Sequence, residues 1–270
     1  RSAAEVAAQL QRLGYEPVRS LQDFTRIGRE AVAAGFKALK TNAVFFEPGG
    51  PVMMNAGFRI QPGFLDRAIS DGQIEAIVDQ LHAFREGVGP DFGLMLDVGF
   101  SQRTEGFIRL ARRLEPLNLF WLELDTRDAE ALALIRNSAR TPIASLESLH
   151  GLSEYRPFIA GRTVDVAIVD PIWNGVWQSV RIAALADAFE THIAPHNPVG
   201  ELATLMSAHL CAAVPNVRIM ELRYDEAPWT REFLTHPVRL EDGCVCVPDR
   251  PGWGSDIDEE ALRAHPSAPN

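Results

Sequence analysis

Three short apolar runs of the sequence each end in one carboxylate residue. The runs are Phe92–Asp97, Leu119–Glu123 and Pro142–Glu147. Uninterrupted runs of bulky apolar residues are typical of parallel strands that are buried on both faces. The three acidic residues are 26 and 24 residues apart, and each interval has the length of one strand–helix unit. The sequence therefore predicts three successive parallel strands, each with a carboxylate at its end.

Carboxylates in this arrangement favour a metal site. The C-terminal ends of parallel strands in an α/β barrel face one mouth, where catalytic groups lie. Three carboxylates that meet there cannot all stay ionised without a cation, and oxygen ligands favour a hard ion such as Mg²⁺. We therefore expect Asp97, Glu123 and Glu147 to bind Mg²⁺. The alternative is three unrelated, solvated acids at strand ends, but the regular spacing favours the metal site.

A second pair of polar residues, Asp170 and His196, ends two later apolar runs, 26 residues apart. An aspartate that accepts a hydrogen bond from a histidine orients the imidazole ring and raises its basicity. We therefore expect His196 to be a general base and Asp170 to hold it. The alternative is a histidine whose ring is satisfied by a loop carbonyl.

The composition is that of an ordinary globular enzyme. The chain has 270 residues, enough for one barrel domain, with 46% hydrophobic and 23% charged residues. A formal net charge of −10 argues against binding to nucleic acid or to an anionic membrane surface. The sequence has no apolar run of transmembrane length, and we expect no secretory signal. Three cysteines give no disulfide framework, so we expect a cytoplasmic protein.

Alternating strand and helix patterns predict the α/β class. The expected helices are Ala3–Leu13, Leu21–Ala34, Gln73–Gly87, Thr104–Leu114, Asp128–Ser138, Val176–Glu190 and Gly200–Ala213. The further expected strands are Phe36–Thr41, Asp165–Asp170, His192–His196 and Val217–Glu221. A shorter connection runs through Tyr155 and Phe158. No Ser/Pro/Gly-rich linker divides this region, so we expect one barrel domain over residues 1–240, followed by a C-terminal segment, 241–270.

Residues 43–68 interrupt the alternation of strand and helix patterns. The segment has many turn-forming residues, is unusually apolar and shows no clean period. A long insertion in a strand–helix loop of a barrel lies above the mouth. We interpret it as an active-site flap or an oligomer contact, and the alternative is disorder.

At these strand ends the sequence resembles the enolase superfamily. Within it, the sequence resembles the mandelate racemase and muconate lactonizing enzyme group, in the branch of acid-sugar dehydratases such as galactonate and mannonate dehydratases. The resemblance runs from about Ala34 to the C-terminus. It implies a TIM-type (β/α)₈ barrel in which Asp97, Glu123 and Glu147 hold an essential Mg²⁺, and an Asp–His dyad made by Asp170 and His196.

The resemblance also implies a capping domain before the barrel, and here the sequence differs. Because the chain begins at Arg1, we expect the capping domain and the first barrel strand to be absent from it. The alternative is that residues 15–18 supply a short first strand. The segment 241–270 resembles the one that packs back on the barrel and capping region in the family.

Further site residues follow from the resemblance. Lys40 matches a lysine that faces the bound substrate carboxylate; the alternative is a surface lysine. Asn42 replaces a second, basic lysine, which disfavours racemisation by a lysine on this strand. Glu221 matches a residue that stabilises the enolate or donates a proton; the alternative is a structural salt bridge. We expect substrate contacts from Asn42, His150 and Asn197.

The resemblance predicts a Mg²⁺-dependent lyase. It would remove the α-proton of a sugar-acid carboxylate and eliminate the β-hydroxyl. A racemase, epimerase or cycloisomerase of the same superfamily and a non-catalytic, degraded barrel are the alternatives.

One departure from the family pattern is Gly99, which stands where the family has an asparagine or a catalytic histidine. Family members are commonly homo-oligomers, and we expect the same here.

Overall fold

The computed structural model describes residues 16–54, 68–223 and 228–266. The chain divides into two compact units. The first unit comprises Arg1–Leu146 and Pro157–Val166, and the second comprises Glu147–Arg156 and Ala167–Asn270.

The first unit begins with a helix followed by a strand. Helix α1 spans Leu21–Ala33, and Asp23 Oδ2 accepts the backbone N–H of Ser20 at 2.9 Å, as in a capping box. Its apolar face includes Phe24, whose ring lies 4.9 Å from that of Phe84. Strand β1 spans Ala38–Asn42 and follows the helix directly.

A short hairpin follows β1. Its strands, β2 (Val44–Glu47) and β3 (Gly50–Met53), are antiparallel. The fully buried side chain of Gln80 connects the hairpin to β1. Its Oε1 accepts the Val44 N–H at 2.8 Å, and its Nε2 donates to the carbonyl of Asn42 at 2.8 Å. The predicted insertion therefore begins as an ordered hairpin, and its later part, 55–67, lies outside the described residues.

Strands and helices alternate through the rest of the first unit. They are α2 (Asp71–Val88), β4 (Gly93–Asp97), α3 (Thr104–Leu114), β5 (Trp121–Glu123), α4 (Ala129–Asn137) and β6 (Ile143–Ser145). The strands are parallel in the order β1-β4-β5-β6. Asn42, Asp97, Glu123 and Ala144 are register partners in turn, which brings these strand ends to one level.

Helix α5 (Gly151–Ala160) and strand β7 (Val166–Val169) each have residues in both units. The short connection expected at Tyr155 and Phe158 is thus a ten-residue helix, and it contains Pro157. In the second unit, the buried hydroxyl of Tyr155 donates to the carbonyl of Ile168 at 2.9 Å, which attaches the helix to β7.

The second unit continues the alternation and ends in smaller elements. They are α6 (Pro171–Asn174), α7 (Val176–Ala188), β8 (His192–Pro195), α8 (Glu201–Ala213), β9 (Leu240–Glu241), β10 (Cys244–Val245) and α9 (Glu259–Ala264). The backbone N–H of His196 donates to the Val169 carbonyl at 3.0 Å, so β8 lies beside β7. In the C-terminal segment, the Trp253 ring lies 5.6 Å from the ring of His209 on α8.

The strand predicted at Val217–Glu221 is wrong for most of its length. Only Val217 forms a bridge, parallel to Ile193, and the Glu221 N–H reaches the Pro195 carbonyl at 3.4 Å. The side chains of residues 217–221 are half-buried or exposed. Side chains that are only partly buried pack less against their neighbours than those of a buried strand, and this packing is what stabilises a strand.

Among the described residues, six strands, β1 and β4–β8, belong to one sheet, and its pairs from β1 to β6 are parallel. The alternation of these strands with helices confirms the predicted α/β class, while a complete eight-stranded barrel is not shown. The predicted helix Ala3–Leu13 lies outside the described residues. Of the region 15–18, considered for a short first strand, residues 16–18 are described and do not form a strand. None of the helices within 16–54, 68–223 and 228–266 is both long and apolar enough to cross a membrane.

Candidate active site

In the first unit, one lysine lies beside two carboxylates. Lys40 on β1 places Nζ 3.0 Å from Oε2 of Glu123 and 3.9 Å from Oδ2 of Asp97. Because Asp97 and Glu123 are register partners at the ends of β4 and β5, the parallel pairing itself brings them together. Glu123 is fully buried, and an ionised carboxylate there requires partners of opposite charge or hydrogen-bond donors.

The same two carboxylates are held by further donors. Trp121 Nε1–H donates to Glu123 Oε2 at 3.1 Å, and the backbone N–H of Gly99 donates to Asp97 Oδ1 at 2.9 Å. Gly99 has a φ of 47°, a conformation that glycine adopts without a steric penalty. Asn42 Nδ2 donates to the Asp97 carbonyl at 3.1 Å. The loop after β4 therefore uses Gly99 as a backbone donor.

In the second unit, a histidine lies between two carboxylates. His196, directly after β8, has Nδ1 2.8 Å from Oδ2 of Asp170 and Nε2 3.4 Å from Oε2 of Glu147. Asp170 is fully buried, and His196 and Glu147 are each less than a tenth exposed. The predicted Asp170–His196 pair is therefore formed in the structure. With Nδ1–H donated to Asp170, Nε2 keeps its lone pair for a proton.

The second oxygen of Asp170 caps a helix. Oδ1 accepts the backbone N–H groups of Ile172 at 2.7 Å and Trp173 at 2.8 Å, in the first turn of α6. These bonds fix the carboxylate plane, since both oxygens have directed partners. Asp170 thus orients His196 from a position that the backbone of α6 itself determines.

Trp173 is a neighbour of His196 that the sequence interpretation missed. Its ring lies 5.2 Å from that of His196 and is half exposed. On its other side, the exposed His150 ring stacks at 6.0 Å and an interplanar angle of 17°. The available signal was a tryptophan three residues after the predicted strand end at Asp170. The Trp173 ring thus contacts both His150 and His196. A contact of His150 with the substrate stays a prediction.

Asn197 and Glu221 form a separate pair. The Asn197 backbone N–H donates to Glu221 Oε2 at 2.8 Å. The side-chain amide of Asn197 donates to Thr204 Oγ1 at 2.9 Å and to the Glu221 carbonyl at 3.1 Å. Asn197 is only 1% exposed, so its amide nitrogen supports the backbone at Glu221. Roles for both residues in substrate binding or catalysis stay predictions.

A buried aspartate, Asp125, was also missed. Its Oδ1 accepts the Ser145 hydroxyl at 2.9 Å and the Leu146 N–H at 3.0 Å. Burial raises the pKa of the Asp125 carboxyl, against the lowering effect of these two hydrogen bonds. Leu146 has a φ of 92°, a region that costs a residue with a side chain about 1–3 kcal/mol. No sequence rule identifies a leucine as the residue that takes this conformation.

The donor atoms of these residues suit a hard cation. Asp97, Glu123 and Glu147 each offer one carboxylate oxygen as a potential metal ligand. Mg²⁺ prefers such oxygen ligands, whereas softer metals prefer sulfur or imidazole. The largely buried positions of Glu123 and Glu147 also raise the energetic gain from a compensating positive charge.

Curated relatives of this chain include sugar-acid dehydratases. The D-gluconate dehydratase of Thermoproteus tenax is 28% identical over 260 residues, which are 95% of this chain and 49% of that protein. The D-galactonate dehydratase family member RspA of Halomonas elongata is 34% identical over 190 residues, 68% of this chain and 47% of that protein. The chain thus spans about half the length of these relatives.

Solved structures give the same family. A protein from Burkholderia xenovorans strain LB400, assigned as an L-alanine-DL-glutamate epimerase and bound to magnesium and fumarate, is 42% identical with a TM-score of 0.89. The match covers 93% of this chain and 63% of that one. A mandelate racemase/muconate lactonizing enzyme-like protein from Rubrobacter xylanophilus DSM 9941 is 30% identical, with a TM-score of 0.80 over 94% of this chain and 64% of that one.

The family model described as enolase C-terminal domain-like matches residues 23–261, most of the chain. This match includes all the strand-end residues described above. The resemblance inferred from those residues is therefore confirmed: this chain belongs to the enolase superfamily, in its enolase C-terminal domain-like family.

Proposed function

We propose that the protein is a Mg²⁺-dependent acid-sugar dehydratase, a lyase that removes the α-proton of a sugar-acid carboxylate and eliminates the β-hydroxyl. The observation that carries this proposal is the His196–Asp170 pair, which prepares a buried imidazole to accept a proton. The sugar-acid dehydratases among the relatives support the substrate class. This chain spans about half the length of these relatives, and the proposal concerns the activity of the whole protein.

Asp97, Glu123 and Glu147 would hold the metal. The support is their all-oxygen donor set, the strand register that pairs Asp97 with Glu123, and the magnesium in the 42% identical structure. When bound, Mg²⁺ offsets the second negative charge that the substrate carboxylate gains as its α-proton leaves. Lys40 lies beside two of these carboxylates, Asp97 and Glu123, and adds a second positive charge for that purpose.

His196 would be the base. Its Nε2 takes the α-proton, and the electron pair of the C–H bond passes into the enediolate of the substrate. Asp170 stabilises the imidazolium that results, because its anionic Oδ2 accepts the Nδ1–H. The buried position of Asp170 keeps water from competing for this hydrogen bond.

The elimination completes the proton balance. The C–O bond to the β-hydroxyl breaks, and the imidazolium of His196 returns its proton to the departing oxygen, so that water leaves. The enol then tautomerises to a 2-keto-3-deoxy acid. Asn42 cannot supply this proton, since a carboxamide does not titrate at neutral pH. A single histidine thus acts first as base and then as acid.

An epimerase is the second candidate. The observation that favours it is the 42% identical structure assigned as an L-alanine-DL-glutamate epimerase. Both reactions share the removal of the α-proton, and they differ in whether a β-substituent leaves. A racemase or a cycloisomerase would share that first step too, and a non-catalytic barrel would have neither step.

One experiment separates these functions. The protein is incubated with a panel of sugar acids and Mg²⁺ in deuterated water, and products are followed by NMR. Formation of a keto acid supports dehydration. Deuterium at the α-carbon without keto acid indicates epimerisation or racemisation and contradicts the dehydratase. A rearranged product without loss of water indicates a cycloisomerase, and no change across the panel favours the non-catalytic barrel.

A further inference from the structure

The buried Asp125 carboxylate accepts hydrogen bonds from the last residue of β6 and from the residue after it. Asp125 lies two residues after Glu123 and is 3% exposed. Its Oδ1 receives two donors from consecutive residues, the hydroxyl of Ser145 and the N–H of Leu146. Its Oδ2 is also buried and has no hydrogen-bond partner among the residues that the structure describes. Burial of a carboxylate oxygen without a hydrogen bond costs free energy of folding. The two hydrogen bonds to Oδ1 help to offset this cost.

The residue that Asp125 binds has an unusual backbone. Leu146 has a φ of 92° and is 1% exposed, so a branched apolar residue occupies a conformation that normally requires glycine. Such a conformation persists only where surrounding contacts determine it. The hydrogen bond from the Leu146 N–H to Asp125 is one such contact, and the bond from the Ser145 hydroxyl fixes the preceding residue.

The consequence concerns the next residue in the chain. Glu147 is bonded to Leu146, and the torsion angles of Leu146 set the direction in which the main chain continues into Glu147. We infer that Asp125 is a positioning residue for Glu147: by holding Leu146 in its left-handed conformation, it presents the Glu147 carboxylate as a metal ligand. This inference rests on the proposed function, since it takes Glu147 as a ligand of Mg²⁺.

Two explanations for the role of Asp125 predict different effects of the same substitutions. If Asp125 acts as a hydrogen-bond acceptor, Asp125→Asn keeps the acceptor oxygen and preserves the turn, while Asp125→Ala removes it. If instead Asp125 contributes its negative charge to the cation, Asn and Ala are equally harmful. The strain also predicts a rescue. Leu146→Gly adopts a positive φ without a steric penalty, so it makes the support from Asp125 dispensable.

The test measures Mg²⁺ binding directly, by isothermal titration calorimetry. It compares wild type, Asp125→Asn, Asp125→Ala, Leu146→Gly and the double variant Asp125→Ala/Leu146→Gly. We expect about tenfold weaker binding or worse in Asp125→Ala, as for other groups that orient ligands. Asp125→Asn and Leu146→Gly are expected within about threefold of wild type, and the double variant within about threefold of Leu146→Gly. The Mn²⁺ electron paramagnetic resonance spectrum should change in Asp125→Ala alone.

The outcomes are distinguishable. Wild-type affinity in Asp125→Ala, equal losses in the Asn and Ala variants, or no recovery in the double variant would each overturn the inference. If Asp125→Ala does not fold, recovery of folding and binding by the added glycine supports it, whereas a double variant that also fails overturns it. No Mg²⁺ binding by the folded wild type would instead refute the metal site of the proposed function.

Discussion

His196 Nδ1 lies 2.8 Å from Asp170 Oδ2, while the other oxygen of the same carboxylate accepts two backbone N–H groups of α6. The aspartate therefore joins the proposed base to the start of a helix. Since the backbone donors are fixed, the ring of His196 is oriented without relying on a mobile side chain. This relationship determines how the first two variants should behave.

Asp170→Asn should separate the two functions of this residue. Asparagine keeps an oxygen for the N–H groups of Ile172 and Trp173, but it loses the charge that stabilises the imidazolium. We expect exchange of the substrate α-proton with deuterated water to slow on the order of 100-fold, with unfolding free energy changed by less than about 1 kcal/mol. Asp170→Ala, which also removes the helix cap, should lower the unfolding free energy by a further ~0.5–2 kcal/mol. Unchanged exchange in Asp170→Asn would contradict the role of Asp170.

His196→Asn should stop α-proton exchange altogether, because it removes the group that accepts the proton. Mg²⁺ binding should remain within a few-fold of wild type, since no proposed ligand is changed. NMR measures the exchange and calorimetry the binding. The matched control is His209→Asn on α8, a histidine that contacts Trp253 and should leave exchange unaltered. Undiminished exchange in His196→Asn would mean that another group is the base.

Glu147→Gln should weaken Mg²⁺ binding on the order of tenfold or more, because an amide oxygen carries no charge for a hard cation. The side-chain volume is kept, so the unfolding free energy should change by less than about 1 kcal/mol. Calorimetry and chemical denaturation give the two quantities. Glu130→Gln, an exposed residue in the first turn of α4, is the matched control and should bind as wild type does. Wild-type affinity in Glu147→Gln would exclude this ligand.

Lys40→Met should have opposite effects on binding and on catalysis. Lys40 Nζ lies 3.0 Å from Glu123 Oε2, so its charge competes with a cation for the same oxygens. Removing it should leave Mg²⁺ affinity unchanged or raise it several-fold. The same change should slow α-proton exchange, since one positive charge beside the developing enediolate is lost. Weaker Mg²⁺ binding with normal exchange would show that Lys40 only supports the carboxylates.

Trp173→Ala should raise KM more than it lowers kcat. The half-exposed indole lies beside His196. In the proposed site we expect its apolar face to contact the part of the substrate away from the α-carbon. Such aromatic contacts are worth about 0.5–1.5 kcal/mol, which corresponds to about 2- to 12-fold in KM. Trp177→Ala is the matched control, because Trp177 is on α7 and 73% exposed. Equal effects of the two substitutions would remove Trp173 from the substrate pocket.

The sequence was most informative where chemistry and strand position coincide. Uninterrupted apolar runs predicted β4 and β5, and the spacing of Asp97 and Glu123 predicted their common level, because parallel pairing aligns residues one strand–helix unit apart. The Asp170–His196 contact followed by the same reasoning and is present. Such residues are predictable because the strand pattern fixes their positions before any side-chain detail is known.

The contacts that support the site were not predictable in this way. Asp125 binds Leu146 through a turn whose sign of φ is set by tertiary contacts, and a leucine gives no local signal for it. Trp173 reaches His196 because a four-residue helix, too short for any periodicity, starts at Pro171. The segment after Val217 had the apolar residues of a strand, but its incomplete burial was not visible in the pattern.

The hairpin after β1 closes on itself. The backbone N–H of Met54 donates to the carbonyl of Ala43 at 2.7 Å, and Ala43 is completely buried. The entry to the hairpin is further held by Gln80, a residue of α2. We therefore expect that its two strands can be exchanged between these anchor residues, provided that the contact of Phe46 with Phe24 of α1 is kept. For an engineer, β2 and β3 are a site for loop grafting that leaves Lys40 and its strand unaltered.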